Sequence, residues 1–219
     1  KPGNSKYATK RAESDAVELL SGVFEGKTTG TPIALLVRNT SQRSGDYSEI
    51  ASFYRPGHAD YTFDAKYGFR DYRGGGRSSG RETIGRVAGG AIAAKILKEL
   101  GINILAYTRS IGPVAIDYEN FDPSFITQNP TAMPDKAAAQ KAGEFLDRCM
   151  KDTDSAGGVI ECVVDHLPAG IGEPVFDKLD ARLAHAIMSI GAVKAFEIGD
   201  GTEVSARLGS ENNDSFTIK

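Results

Sequence analysis

Residues 55–86 read RPGHADYTFDAKYGFRDYRGGGRSSGRETIGR, a composition that no ordinary core or surface element needs. One histidine, aspartates at 60, 64 and 71 and six arginines stand around a Gly-Gly-Gly run at 74–76. Such a run lets the backbone take φ > 0 or approach a ligand closely, and Arg77-Ser78-Ser79 follows with fork donors, hydroxyls and N–H groups. The stretch reads as an anion-binding loop feeding a helix. Beyond it, Ile84, Val87, Ala88, Ala91, Ile92, Ile96 and Leu100 recur at helical spacing. They predict a long helix over about 79–100, with Ser79-x-x-Glu82 as a capping box.

Upstream, an alternating run at 17–25, a turn at 27–31 and the apolar run PIALLV at 32–37 predict a hairpin. Residues 38–55 are polar and hydroxyl-rich, longer than the usual connection, and long loops of this kind often carry function. A short helix is expected over 59–67. Downstream come a strand at 102–112, then an irregular connection to Met133 holding Asp117, Glu119 and Asp122. Pro134 opens an alanine-rich helix to about 152, GGVIECVVDHL gives a strand, a helix starts at about Pro174, and AVKAFEIGDG is a strand with a turn. The antiparallel hairpin and the few helices predict an α+β fold rather than a doubly wound parallel sheet.

The 219 residues, 40% hydrophobic and 25% charged, suit a single domain over 1–219 with a real core. A net charge of −3 gives no reason to expect a nucleic-acid or anionic-membrane partner. No apolar run approaches the length of a membrane span. Cys149 and Cys162 are the only cysteines, which argues against a disulfide framework and fits a reducing, cytoplasmic setting. The chain opens on Lys1 and stops at SFTIK, so it reads as a piece of a longer protein.

His58 has no Cys or His nearby at metal-ligand spacing, so no metal is expected. Two readings stay open for it: a satisfied structural histidine, or a general acid/base or phosphate contact in a polar loop near Arg55, Asp60 and Arg70. His166 and His185 read as a strand end and a helix face. The glycine loop is neither a P-loop nor a dinucleotide fingerprint. Its bland alternatives are a flexible linker and a solvated basic face. Against them stands the capped apolar helix that follows, whose N-terminus favours an anion, with Arg77 and Arg81 four apart and converging on it. Lys1, Lys6, Lys10 and Arg11 form a second basic group.

Taken together, KPGNSKYATKR, LSGVFEGKTTGTPIALLVRNTSQRSGDYSEI, RPGHADYT with RDYRGGGRSS, and PAGIGEPVFDKLDARLAHAIMSIGAVKAFEIGDG resemble the chorismate synthase family, in family order over nearly the whole chain. The resemblance implies a 1,4-elimination of phosphate from 5-enolpyruvylshikimate 3-phosphate giving chorismate, with reduced FMN required, NADPH reducing the flavin in some members, and no net redox change. It implies a layered β-α-β-α sandwich assembling as a homotetramer. By motif, His58 assists phosphate departure, Arg77, Ser78 and Ser79 contact the flavin, and Gly80 and Arg81 lie against the substrate. Lys6 stands where the family usually has a substrate-contacting arginine, Glu211-Asn212 where it has Gln-Asn at the flavin, and Gly80 where it has alanine. The family also has a preceding segment with a Ser-His-Gly motif and a long following one, so this chain resembles a central part, inactive alone.

Overall fold

The structure is a computed structural model that describes residues 5–8, 14–40 and 49–216. It divides into two compact units, Lys1–Leu167 and Pro168–Lys219, described separately below. Lys1, Lys10 and Arg11, and part of the polar stretch at 38–55, lie outside the described residues.

The first unit opens on two nested antiparallel ladders. Strand β1 (Val17–Leu19) pairs with β4 (Leu35–Val37), and between them β2 (Val23–Phe24) pairs with β3 (Lys27–Thr28). The expected turn at 27–31 is thus displaced. Glu25 and Gly26 make it instead, with φ 46 and 75, the pair of positive φ angles a two-residue primed hairpin turn requires. Ser21 joins the inner and outer ladders, its hydroxyl donating to the Pro32 carbonyl at 2.9 Å and accepting from the Ala34 N–H at 3.2 Å.

Helix α1 (Asp60–Tyr67) ends at Gly68, whose φ of 78 is the left-handed cap that favours glycine. Helix α2 (Thr83–Glu99) is shorter than the sequence suggests, because two 3-10 turns, Gly76–Ser78 and Gly80–Glu82, precede it with extended Ser79 between them. The capping box is half made. Ser79 Oγ accepts from the Arg81 N–H at 3.2 Å, but the Glu82 carboxylate pairs with Arg77 rather than reaching back to residue 79. At the other end Gly101 takes φ 78 and the Ile102 N–H returns to the Leu97 carbonyl at 2.9 Å, a Schellman stop. No residue of α2 is buried, and Val87, Ile96 and Leu100 of its apolar face are exposed.

Strand β5 (Asn103–Ile111) runs antiparallel to β6 (Val114–Ala115) on one side and β7 (Gly158–Asp165) on the other, with a bulge between Thr108 and Ser110. Helix α3 (Lys136–Lys151) packs beside them. The stretch at 113–133, expected as a plain connection, is instead part of the core. Ile116, Ile126 and fully buried Met133 pack with Tyr107, Ala138, Ala139 and Ala142, and Phe121 and Phe125 close the cluster. Its polar residues organise it. Asp117 and Asp122 cap successive 3-10 turns, and the Asn129 amide bridges the Phe125 and Met133 carbonyls.

In the second unit β8 (Gly172–Glu173) and β9 (Asp177–Lys178) form a small hairpin around Pro174, so α4 (Leu179–Met188) starts five residues later than expected. Residues 192–201 form no strand among the described residues, since no neighbour offers them a ladder. All ladders among the described residues are antiparallel, in accord with mixed α and β elements rather than a parallel sheet. No helix of the described residues is long and apolar enough to cross a membrane.

Two stability predictions follow from this core. Asp135 is buried, which by itself would raise its pKa. The N–H groups of Asp117, Ala138 and Ala137 donate to it and hold it below the usual carboxylate range. Asp135→Ala removes the α3 cap and orphans the Asp117 N–H, costing about 2 kcal/mol; an unchanged urea midpoint would contradict the assignment. Burial, then Glu161 beside its hydroxyl, pushes the Tyr107 phenol well above its ordinary value. Its folded pKa is raised, so its contribution is full below the usual phenol pKa of about 10 and is lost as pH climbs above it. Denaturation curves between neutral and alkaline pH should fall more steeply for the wild type than for Tyr107→Phe, in which the raised Tyr118 phenol still contributes; equal slopes would contradict the assignment.

Candidate active site

Arg55-Pro56-Gly57-His58 is a tight turn closed by the His58 N–H on the Arg55 carbonyl at 3.3 Å. Proline presets φ at the second position and Gly57 takes φ 71 at the third, the signature of a type II turn. The His58 ring is exposed, and its Nδ1 lies 3.0 Å from the Pro56 carbonyl oxygen. A carbonyl can only accept, so Nδ1 carries a proton and Nε2 is the nitrogen that gains or loses one.

The glycine run reaches the same place. Gly74, Gly75 and Gly76 take φ 121, 84 and 48, values open to glycine and strained for other residues. A Cβ on Gly75 would stand 3.0 Å from Ser78 Oγ, and one on Gly76 3.3 Å from the Asp71 side chain. Ser78 Oγ donates to the Gly75 carbonyl at 2.6 Å, locking the loop into the first 3-10 turn. The result is a polar cavity of about 390 Å³ lined by Arg55, Gly57, His58, Gly74, Ser78, Ser79 and Gly80, among others. At Gly57, Gly74 and Gly80 an added Cβ would meet open space.

A second cleft, of about 420 Å³, shares Arg77 of the loop, with Ile33, Leu35, Val37, Ile84 and Ala88 in its walls and Arg38 and Arg81 among its polar residues. Arg77 and Arg81 therefore do face one space, though not from one helical turn, since extended Ser79 separates them. Arg77 pairs with Glu82 at 3.1 Å and Arg38 with Glu18 at 2.8 Å.

Of the expected site residues, His58, Ser78, Ser79 and Gly80 share the first cavity, and Arg77 and Arg81 the second. Lys6 is elsewhere. Its ammonium pairs with Asp147 on α3 at 2.6 Å while Tyr7 donates to the Gly143 carbonyl. Glu211 and Asn212 belong to the second unit, where Glu211 Oε2 accepts from the Leu208 N–H at 3.1 Å. Sequence reasoning missed Arg38 and Asn39 as lining residues, and it placed Arg55 only near His58. The Pro-Gly pair after Arg55 was the available signal for the latter, since a type II turn must bring residues 55 and 58 together. No group of three or more metal-ligating side chains occurs among the described residues.

The family profile described as chorismate synthase matches residues 1–219. The chain belongs to the chorismate synthase family. It is 68% identical over 218 residues to a chorismate synthase of Lachnoclostridium phytofermentans, covering all of this chain and 59% of that protein. It is 66% identical to one of Agathobacter rectalis, again over 59% of its length. A crystal structure of chorismate synthase superposes with TM-score 0.76 at 33% identity, over 91% of this chain and 59% of that one. The chain thus spans about three fifths of the length of the curated relatives it matches. The φ angles of the glycine run carry a direct test. Gly75→Ala forces a side chain into φ 84 against Ser78 Oγ, costing about 1–2 kcal/mol; it should also weaken phosphate binding measured by titration calorimetry, and unchanged affinity would refute the loop's role.

Proposed function

We propose that the complete protein carrying this chain catalyses the family's reaction, 1,4-elimination of phosphate from 5-enolpyruvylshikimate 3-phosphate to give chorismate, and that residues 55–86 form one wall of its active site. The observation that carries the reading is the shared cavity: a histidine with its exchangeable proton at Nε2 faces the same space as Ser78, Ser79 and the glycine loop. A leaving phosphate gathers charge as its C–O bond breaks, and a proton or hydrogen bond from His58 Nε2 stabilises that charge. Arg81, in the neighbouring cleft, supplies a cation suited to the phosphate or carboxylates of the substrate.

The same cavity suits a phosphorylated flavin. Its glycines leave room where other residues would project a Cβ, and Ser78 and Ser79 bring hydroxyls to it. Ser78 and Ser79 from this cavity, with Arg77 from the second cleft, would hold reduced FMN, which when bound supplies the electron-rich partner the elimination needs without net redox change. By motif alone Glu211 and Asn212 are further candidate flavin contacts of the complete protein, and Lys6 would be a substrate contact once its pairing with Asp147 is exchanged for the ligand. The exposed apolar face of α2 supports the family's layered β-α-β-α sandwich and homotetramer as the state of the complete protein. This chain alone is then inactive. A cytoplasmic setting and flavin reduction by NADPH are part of the same proposal.

The test is chorismate formation by the full-length protein with reduced FMN. His58→Ala should lower kcat about 10²- to 10⁴-fold, the usual loss on removing a general acid. Turnover at the wild-type rate would remove His58 from the mechanism. Net NAD(P)H consumption coupled to substrate would replace the elimination with an oxidoreductase.

A further inference from the structure

The His58 ring makes one hydrogen bond among the described residues, to the Pro56 carbonyl, and is otherwise exposed. Its aim therefore depends on the shape of the turn that carries it. That turn is clamped from outside by a buried carboxylate. Asp60, only 5% exposed, accepts from the Arg55 backbone N–H at 3.0 Å, from Arg55 Nε at 2.9 Å and from Arg55 Nη2 at 3.0 Å. Both carboxylate oxygens are used, and the ring they close contains Pro56, Gly57, His58 and Ala59.

Arg70 fixes the clamp in turn. Its side chain is 7% exposed, Nη1 lies 3.4 Å from Asp60 Oδ2, and Nε pairs with Asp64 one turn along α1 at 3.2 Å. Its Nη2 donates to the carbonyls of Ile50, Ala51 and Phe53, at 2.8, 3.2 and 3.0 Å, so the chain entering the turn is tied to the helix leaving it. Only a carboxylate serves here. An asparagine offers one acceptor oxygen: placed at Oδ2 it keeps the Arg55 backbone N–H and Nε but turns its own NH₂ toward Nη2, setting donor against donor and breaking the fork.

We infer that Asp60, acting through Arg55 and braced by Arg70, is a positioning residue for His58, setting the turn whose Pro56 carbonyl holds Nδ1–H and so keeps Nε2 as the proton-exchanging nitrogen. The inference rests on the reading of His58 as the group that meets the leaving phosphate; of its two readouts kcat shares that reading, and the tautomer signal does not. In the full-length protein labelled with ¹⁵N-histidine, neutral His58 should show the Nδ1–H tautomer. Asp60→Asn should convert it to a mixture with the Nε2–H form, and kcat should fall roughly 10- to 100-fold, as for an imperfectly aimed group, while KM moves by less than about threefold. Should Asp60→Asn not fold, Arg55→Lys keeps the cation without the fork and should show the same tautomer shift. An unaltered Nδ1–H signal in the folded variant overturns the inference, as does a wild-type kcat in Asp60→Asn. Wild-type turnover in a His58→Asn variant would overturn the catalytic reading instead, and the tautomer signal would still decide the role of Asp60.

Discussion

Asp60 is a charge taken out of water, and the half of the first unit that bears the site is arranged around making that tolerable. A lone buried carboxylate would protonate or unfold its surroundings. Here the Arg55 fork and then the Arg70 cation hold it well below the usual carboxylate range despite burial. Arg70 is in turn spread over three carbonyls and Asp64, with the Tyr54 ring 5.0 Å from its guanidinium. Because its members come from the stretch at 50–55, from α1 and from Arg70 beyond it, one ion network defines the entry to α1, the turn before it and the stretch after it. The turn and the glycine loop can then share a cavity without either being buried.

The rest of the first unit is stabilised differently. Around β5 and α3 the chain has an apolar core, with Met133 fully buried and short polar side chains capping each irregular turn above it. Around α2 it does not. A helix of small and apolar residues with no buried position gains little from burial, since the free energy follows the area removed from water. Relatives that are about two thirds identical are longer by roughly the complement of the 59% matched. The glycine loop feeding that helix is therefore firmly built on its Asp60 side and lightly supported on its α2 side.

What was legible in the sequence was local. Three glycines allow positive φ, and α3 can be read from the alanine-rich run after Pro134, although the helix begins at Lys136 with Asp135, not Pro134, at its cap. What was not legible depended on partners distant in sequence or on competition between side chains. Glu82 fits a capping box until Arg77 takes it. Lys27 and Thr28 look like a turn until Val23 and Phe24 pair with them. The stretch at 113–133 lacks periodicity because its apolar residues are delivered to the core by capped 3-10 turns, not by a helix or strand. The run at 192–201 has strand composition but no strand beside it among the described residues, and a ladder needs two. For the proposed site, RPGHADYT and RDYRGGGRSS pointed to residues that the fold brings to one cavity, whereas the clamp beside it was visible only once distances placed Asp60 between two arginines.

The central claim is that His58 and the Ser78-Ser79 loop face one anion. Inorganic phosphate titrated into the ¹⁵N-labelled full-length protein tests it most directly. Saturable shifts of the His58 ring nitrogens together with the Ser78, Ser79 and Gly80 amides, at one shared dissociation constant, are the predicted result. Shifts confined to other basic residues, with His58 and the loop amides unmoved, would contradict it.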